Sequence, residues 1–156
     1  RHGREKPERF ALLEALSPLL DMVRAASRRE GIQLLVEIPE GLEVRSRKGE
    51  LEQVLLSLIR NAADSLRAHP QGGAGARLIA LRGRRLEEAV VIDVVDSGGG
   101  VAKAVEPRLF ELAVSDKDST GVGLYLAAAL AERNGGSLSY FPVEAGSCFR
   151  LALPVP

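Results

Sequence analysis

The chain has 156 residues, 46% of them hydrophobic, so it is long enough to bury one core and too short to need two. Its 21 basic and 21 acidic residues cancel, which excludes a general electrostatic attraction to nucleic acid or to an anionic membrane. Cys148 is the one cysteine, and neither a signal-peptide stretch nor an apolar run long enough to cross a bilayer is present, which favours the cytoplasm.

The first part of the chain is predicted to form two helices separated by short strands. The spacing of leucines predicts a helix over residues 12–29, in which Pro18 lies early enough to start or kink it. A strand at 32–38, a turn at Glu40-Gly41 and an extended piece at 42–45 follow. The most regular helix covers residues 50–67, and the segment His69–Gly73 ends it. Its apolar stripe consists of Leu51, Val54, Leu55, Leu58, Ile59, Ala62 and Leu66.

Three polar residues of this second helix share one rim of its apolar stripe. At about 100° per residue, Ser57, Asn61 and Asp64 point the same way. The amide oxygen of Asn61 can bind a hard cation such as Mg²⁺, which in nucleotide sites takes few protein ligands together with phosphates and water. The alternative is an ordinary exposed asparagine, because polar residues normally occupy the solvent side of such helices.

Two strands, at residues 77–84 and 89–95, are predicted next, joined by the polar turn Arg84–Glu88. The second strand is β-branched and delivers Asp96 at its end, where the chain turns into Ser97-Gly98-Gly99-Gly100. A buried carboxylate here can accept the amine of adenine, and the glycines leave room for the ring and allow positive φ. A plain glycine turn explains the same residues.

Between Ser97 and Thr120 no period holds, and an unpatterned segment of this length is typical of a functional lid or of disorder. A third helix is predicted over residues 121–133. It opens with Gly121-Val122-Gly123, where unpaired amides and the helix dipole make a site for phosphate oxygens. Thr120 can instead be an ordinary N-cap. Lys117, in the predicted lid, can reach a terminal phosphate as a flexible cation or remain a solvated surface lysine.

The chain closes with a predicted hairpin. Gly135-Gly136 stops the third helix, and residues 137–141 and 147–153 form the two strands. Cys148 is interpreted as a small core residue of the second strand. Neither His2 nor His69 has a cysteine or carboxylate at metal-ligand spacing, so no zinc site is predicted.

Four of these segments, in this order, resemble the N, G1, F and G2 boxes of the catalytic domain of sensor histidine kinases. The segments are Gln53–Ala62, Asp96–Gly100, Leu109-Phe110-Glu111 and Thr120–Leu124. The resemblance covers residues 10–154, and Gly135-Gly136 and Gly146–Phe149 are similar to the closing strands of the family. It implies an α/β fold, the two-layer Bergerat sandwich shared with gyrase, in which a mixed sheet is backed by helices and a mobile lid covers ATP.

The resemblance also implies roles for single residues. Asn61 holds Mg²⁺ and Asp96 binds adenine, while Asn61 and Lys117 are the expected catalytic residues. The remaining nucleotide contacts, from the adenine wall to the phosphates, are expected at Ser57, Gly98, Gly100, Lys117, Thr120, Gly121, Gly123 and Leu124, with Ser147 supporting Asp96.

The sequence departs from the family pattern at three positions. Ser57 replaces the first asparagine of the N box, Ser119 replaces the first glycine of the G2 run, and Arg47 replaces an acidic residue before the N box. A serine hydroxyl can still reach phosphate or a metal-bound water. The lid segment Phe110–Lys117 is similar to the version of some sensor kinases but lacks its aromatics, and the tract Gly123–Ala127 is similar to redox-responsive sensor kinases.

The position of Ser57 bears on the reaction. In ATP-hydrolysing relatives a glutamate one turn before the metal asparagine activates water, and serine cannot serve as that base at neutral pH. The site is therefore expected to bind Mg-ATP for phosphoryl transfer and not to hydrolyse it efficiently alone. The resemblance implies that the acceptor is a histidine on a separate helical hairpin, which also dimerises and passes the phosphoryl group to a response regulator.

We expect residues 1–9 to be the linker from that hairpin and residues 10–156 to be the catalytic domain, monomeric in isolation and without membrane contact of its own, in a parent that can be membrane-anchored. Two other functions stay open. The altered boxes also fit a nucleotide-sensing or scaffolding module without transfer activity, and anti-sigma serine kinases share the fold. Phosphorylation of a supplied hairpin tests the first alternative. Acid stability of the product tests the second, because phosphohistidine is acid-labile.

Overall fold

The computed structural model describes residues 5–68, 77–99, 101, 103–111, 118–144 and 146–156, with the backbone alone for residues 118–122. The helices in these residues are α1 (Leu12–Arg29), α2 (Lys48–Ala68) and α3 (Asp118–Arg133). The strands are β1 (Glu8–Ala11), β2 (Ile32–Glu37), β3 (Glu43–Ser46), β4 (Arg77–Leu86), β5 (Ala89–Asp96), β6 (Ser137–Val143) and β7 (Gly146–Pro154). A short 3₁₀ turn covers Glu106–Arg108.

Five of the strands form one mixed sheet in the order β2-β4-β5-β7-β6. β2 and β4 run parallel, and the other neighbours run antiparallel. β1 and β3 pair antiparallel in a separate two-stranded ribbon. The predicted α/β sandwich with a mixed sheet is therefore confirmed, and its closing hairpin is β6–β7.

The hydrophobic core lies between the helices and one face of the sheet. Every residue predicted for the apolar stripe of α2 is buried, because this helix packs on α1, α3, β4 and β5. β5 contributes Val90, Ile92 and Val94 from alternate positions, as expected for one face of a strand. Each fully buried aliphatic side chain stabilises the fold by about 1.5–3 kcal/mol relative to exposure, so the placement of α2 on the sheet is strongly determined.

The opposite face of the sheet carries a row of paired charges that crosses neighbouring strands. Arg82 lies opposite Glu37 on β2 and Asp93 on β5, and its Nε donates to Glu37 at 2.7 Å. Arg150 on β7 donates to both oxygens of Asp93, at 2.8 and 3.0 Å. The Arg150 guanidinium also lies 5.0 Å from the centre of the Phe141 ring. These pairs let the sheet present polar groups on the face turned away from the described helices.

The structure gives the outcome of three predictions about where helices start, kink and end. α1 runs through Pro18 without a break. α3 begins at Asp118, before the predicted start, so Thr120 lies inside the helix and is not its N-cap. The predicted end of α3 is confirmed, since Gly135 has φ +80° and the Gly136 N–H donates to the Ala131 carbonyl at 2.9 Å.

Several strand boundaries differ from the predictions by one or two residues, and one strand is missed. β1 is missed by the sequence pattern, because four residues with a single large apolar side chain, Phe10, contain no measurable period. β4 extends to Leu86, beyond the predicted residues 77–84, because a turn through Glu87, with φ 57°, lets the two strands pair up to their tips. The predicted break at His69–Gly73 and most of the predicted lid lie outside the described residues.

Candidate functional site

Asp96 ends β5 on the sheet face that packs against the helices. Its side chain is buried, with 2% of the residue exposed. Oδ1 accepts a hydrogen bond from the Gly98 N–H at 2.8 Å, and Oδ2 accepts one from the Ser147 hydroxyl at 2.8 Å. Ser147 lies directly opposite Asp96 in the β5–β7 pair. These two donors fix the plane of the carboxylate.

Two positions next to Asp96 have no room for any side chain and are therefore occupied by glycine. A Cβ on Gly98 would lie 2.4 Å from the Ser65 Oγ and 3.0 Å from Oδ1 of Asp96. A Cβ on Gly146 would lie 1.9 Å from the backbone oxygen of Asp96, well inside any real contact distance. Gly98 therefore lets the loop after β5 approach α2, and Gly146 lets β7 pass close beside Asp96.

One edge of α2 faces this region. Ser57 and Asn61 are half-buried, and Ser65, one helical turn beyond Asn61, approaches Gly98. On α3, the nearest heavy atom to a Cβ on Gly123 would be the Ser57 Oγ, at 3.9 Å. The structure thus brings the polar edge of α2, the end of β5 and the glycine run of α3 to one side of the molecule.

Asp64 does not act with the other two rim residues of α2. Its carboxylate accepts a short hydrogen bond from Arg67, one turn further along the helix, and Arg67 also bonds Glu30 at 3.0 Å. These bonds raise the pKa of Arg67, with the Glu30 contact as the largest cause. Asp64 is therefore engaged in a local ion pair on the helix surface.

The first turn of α3 supplies backbone amides to the same side. Thr120 and Gly121 lie in this turn. Gly123 is half-buried, whereas Leu124 is 3% exposed and belongs to the hydrophobic core. The first amides of a helix have no partner within the helix, and the helix dipole makes this end attractive to anions. Leu124 anchors that end to the core.

The loop between β5 and α3 is attached to the sheet where the structure describes it. The Ser97 hydroxyl accepts a hydrogen bond from the backbone of β4 at 3.0 Å, and the Val101 N–H donates to the Tyr140 hydroxyl at 3.2 Å. Phe110 packs edge-on against Phe149, with ring centroids 6.1 Å apart. The approach to the predicted lid is therefore fixed to β4, β6 and β7.

Two of the predicted site residues belong to the part of the chain that the structure does not describe. Gly100 and Lys117 lie outside the described residues, as does segment 112–117 of the predicted lid, so their roles stay predictions. Within the described ranges, no group of three or more histidine, cysteine, aspartate or glutamate side chains is arranged to hold a metal ion. The oxygens of Asn61 and Ser57 fit a cation that takes most of its ligands from phosphates and water.

Sequence reasoning missed the close approach of Ser65 and the steric role of Gly146. A helical wheel places Ser65 directly after Asn61 on the same face, so the pattern that identified Asn61 could have identified it. No local pattern could identify the role of Gly146, because its constraint comes from the backbone of Asp96 on another strand.

Cys148, the other chemically notable side chain of β7, is 6% exposed. Burial, and next the negative charge of Asp93, raise the pKa of its thiol to about 11. The thiol therefore stays protonated at neutral pH, which fits the interpretation as a small core residue.

The sequence matches known families over most of its length. Residues 47–156 match the family described as histidine kinase-, DNA gyrase B-, and HSP90-like ATPase. The chain is 32% identical to the C4-dicarboxylate transport sensor protein DctS of Rhodobacter capsulatus over 148 residues, which are 93% of this chain and 22% of DctS. It is 33% identical to the sensor histidine kinase Hik2 of Thermosynechococcus vestitus over 153 residues, which are 92% of this chain and 38% of Hik2.

Solved structures share the fold. The catalytic domain of histidine kinase ThkA superposes with a TM-score of 0.83 at 21% identity, covering 97% of this chain and 99% of that one. Full-length ShkA in complex with AMPPNP superposes with a TM-score of 0.78 at 22% identity, covering 97% of this chain and 31% of that one. The chain therefore belongs to the histidine kinase-, DNA gyrase B- and HSP90-like ATPase family, and it is an ATP-binding catalytic domain of the sensor histidine kinase type.

Proposed function

We propose that this domain binds Mg-ATP and transfers the γ-phosphoryl group to a histidine on a separate helical hairpin domain. The observation that carries the proposal is the buried Asp96 carboxylate, which Ser147 and Gly98 hold beside the polar edge of α2. Gly123, in the second turn of α3, lies across from that edge, at Ser57. A base acceptor, oxygen ligands and phosphate-binding amides therefore occur in the order in which a nucleotide would meet them.

Asp96 supplies the selectivity for adenine. Its carboxylate accepts the exocyclic amine of adenine, whereas guanine presents a carbonyl oxygen at the equivalent position and would meet a negative charge. A hydrogen bond to a charged group contributes about 1.5–3 kcal/mol, and guanine would lose this contribution because its carbonyl oxygen cannot donate to the carboxylate. Because Gly98 has no side chain, the loop after β5 can approach Ser65 and bring the Gly98 N–H to the Asp96 carboxylate.

Asn61 and Ser57 bind the metal–phosphate part of the ligand. Asn61 would hold Mg²⁺ through its amide oxygen, with Ser57 near enough to reach a phosphate or a metal-bound water. The bound cation offsets the charge of the phosphates. The first amides of α3, at Thr120 and Gly121, bind phosphate oxygens from the helix end, and Gly123 lets the phosphates pass close to the helix beside Ser57. Lys117 adds a positive charge at the terminal phosphate.

The site favours transfer over hydrolysis. The residue one turn before Asn61 is Ser57, which has no basic group to activate water at neutral pH. A neutral imidazole nitrogen needs no such base, because its lone pair attacks phosphorus directly. The N–P bond forms, the bond from the γ-phosphorus to the bridging oxygen breaks, ADP leaves, and the other ring nitrogen releases its proton to solvent. Positioning and charge stabilisation then account for the rate.

The acceptor and the downstream partner belong to the wider protein. The chain spans between about a fifth and two fifths of the length of the two curated relatives described above, both of which are sensor proteins by name. We infer that the phosphoryl group passes from the hairpin histidine to a response regulator and that the domain works in the cytoplasm, where ATP is available. None of the helices in the described parts of the chain is long and apolar enough to span a membrane.

Isothermal titration of the domain with ADP and with a non-hydrolysable ATP analogue, each with and without Mg²⁺, tests the binding step. Binding that strengthens with Mg²⁺ supports the proposal, and a folded domain that binds neither ligand would leave the scaffolding function in its place. Labelled ATP and a supplied hairpin domain then test the transfer. An acid-labile product supports a histidine kinase, and an acid-stable product would indicate a serine kinase.

A further inference from the structure

A polar cluster joins the end of α3 that is farthest from the proposed phosphate site to the beginning of α2. At its centre is Glu50, a carboxylate on α2 that is fully buried. Arg133, the last residue of α3, donates from Nε to both oxygens of Glu50, at 3.1 and 3.0 Å. Asn134 donates from Nδ2 to Glu50 at 2.9 Å. One buried carboxylate therefore holds the end of α3 against α2.

Arg47 extends this cluster to the segment before β1. Its backbone N–H donates to Oδ1 of Asn134 at 2.9 Å, and its guanidinium Nη1 donates to the Arg133 carbonyl at 3.2 Å. Its Nε donates to the backbone oxygen of Glu5 at 3.0 Å. A single guanidinium therefore bridges the C-terminus of α3, where cations are favoured by the helix dipole, and the N-terminal segment.

Glu5 makes a second attachment through its side chain. Oε2 accepts a hydrogen bond from the Gly49 N–H, in the first turn of α2, at 2.6 Å. A Cβ on Gly49 would lie 3.0 Å from Oε1 of Glu5, so glycine allows the close approach. A carboxylate at a helix N-terminus binds otherwise unpaired amides and complements the dipole. The segment at Glu5 is thus bonded to α2 directly and to α3 through Arg47.

We propose that this cluster couples docking of the segment at Glu5 to the phosphate end of the nucleotide site, with Arg47 as the positioning residue. The proposal rests on the function proposed above. α3 has 16 residues and is a stiff rod about 24 Å long, with the cluster at one end and Gly121 and Gly123 at the other. Ser57 and Asn61 lie on α2, so the cluster sets the two halves of the phosphate site relative to each other.

The coupling depends on a residue at which this chain differs from its family. Arg47 stands where the resemblance leads one to expect an acidic residue. An acidic side chain has no proton to donate to the carbonyls of Glu5 and Arg133, so it could not bridge them. With arginine at this position, release of the segment removes one of the bonds that orient the guanidinium at the end of α3.

Thermodynamic linkage makes the coupling reciprocal. If docking of the segment strengthens phosphate binding, a bound phosphate must strengthen docking by the same factor. The adenine end of the site is on β5 and makes no bond to this cluster among the described contacts. The affinity for adenosine should therefore hardly change when Arg47 is replaced, whereas the affinity for ADP should fall.

The first experiment measures adenosine and Mg-ADP affinities of Arg47→Ala by isothermal titration, with Arg45→Ala as the matched control, because Arg45 is an exposed arginine on β3. We expect Arg47→Ala to raise the Kd for ADP about five-fold, at the lower end of typical coupling, and to leave adenosine unchanged. Unchanged ADP affinity would overturn the proposal. Equal losses for both ligands would overturn it as well, because they indicate general destabilisation.

The second experiment measures hydrogen exchange at the Gly49 amide, whose N–H bonds Glu5. In the unaltered protein, saturating Mg-ADP should slow this exchange about five-fold, and the effect should disappear in Arg47→Ala. If Arg47→Ala does not fold, the adenosine and Mg-ADP affinities of Glu5→Gln test the coupling instead, and Glu8→Gln is the control. An unaltered protein that binds no ADP refutes the proposed function and the coupling together. ADP binding with no difference among variants refutes the coupling alone.

Discussion

Replacing Asp96 by asparagine should weaken adenosine binding by about 10- to 100-fold while the domain stays folded. Asparagine has one acceptor oxygen instead of two, and the Gly98 N–H, 2.8 Å from Oδ1, claims it. The amide nitrogen then takes the Oδ2 position, where the Ser147 hydroxyl can turn to accept. The adenine amine meets a donor where it needs an acceptor. Loss of a charge-assisted hydrogen bond costs about 1.5–3 kcal/mol, which gives the stated range.

Asp93→Asn is the matched control. Asp93 lies on the same strand but on the opposite face, where Arg150 donates to both of its oxygens. The substitution weakens this pair and should lower the free energy of unfolding by about 1 kcal/mol, with no change in adenosine affinity. The assay is isothermal titration with adenosine, together with urea denaturation of both variants and of the unaltered domain.

Adenosine affinity of Asp96→Asn within two-fold of the unaltered domain would refute the role given to Asp96. The reasoning would also fail if Asp93→Asn lost affinity to the same degree, since the effect would then follow from reduced stability. If Asp96→Asn unfolds at room temperature, the carboxylate is structural, because the asparagine can still accept from the Gly98 N–H and donate to the Ser147 hydroxyl.

Three further substitutions address the metal, the loop and the buried thiol. Asn61→Ala should weaken Mg-ADP binding about ten-fold and adenosine binding little, measured by isothermal titration. Gly98→Ala should lower the free energy of unfolding in urea by about 1–3 kcal/mol, since the new Cβ would lie 2.4 Å from the Ser65 Oγ. The pKa of Cys148 is raised from 9.0 to about 11, so its stabilising contribution is complete below pH 9 and is lost as pH rises through 11. Between pH 9 and pH 11, the midpoint temperature of unfolding should therefore fall more in the unaltered domain than in Cys148→Ala.

Each of these has a comparison that can contradict it. The control for Asn61→Ala is Gln53→Ala, on an exposed part of the same helix, which should leave both affinities unchanged. If Asn61→Ala lowers the affinities for ADP and adenosine equally, Asn61 is a structural residue. Ser65→Ala should recover part of the stability lost in Gly98→Ala, and no recovery would mean that Ser65 is not the obstacle. Parallel pH profiles for the unaltered domain and Cys148→Ala would contradict the raised pKa.

The fold could be predicted where a segment carries a long and regular apolar period. α1 and α2 show such periods over about five turns, and β5 is marked by a β-branched run that ends at Asp96. β1 contains only four residues, and it exists because Phe10 and its neighbours pair with β3, a long-range contact that no local pattern encodes. The start of α3 was misplaced because Ser119 and Gly121 are poor helix formers, and tertiary packing of the following residues overrides that preference.

The candidate site could be predicted only in part. The resemblance led from Asp96 to Ser147, and the structure places their side chains 2.8 Å apart. The roles given to these residues stay predictions until ligands are measured. The cluster around Glu50 could not be predicted, because a glutamate in the first turn of a helix normally faces solvent. It is buried here since Arg133 and Asn134, from the other end of the sequence, supply its hydrogen bonds.

β5 carries two buried aspartates three residues apart, and the residues opposite them on β7 place them in different environments. Alternation along a strand places residues at odd separation on opposite faces, so Asp96 faces the helices and Asp93 faces the charged row. On β7, Asp93 lies opposite Arg150, whose two charged donors satisfy both of its oxygens. Asp96 lies opposite Ser147, whose neutral hydroxyl orients the carboxylate without neutralising it. The residues opposite the two aspartates on β7 therefore differ in charge, with a guanidinium donor at Asp93 and a neutral hydroxyl donor at Asp96.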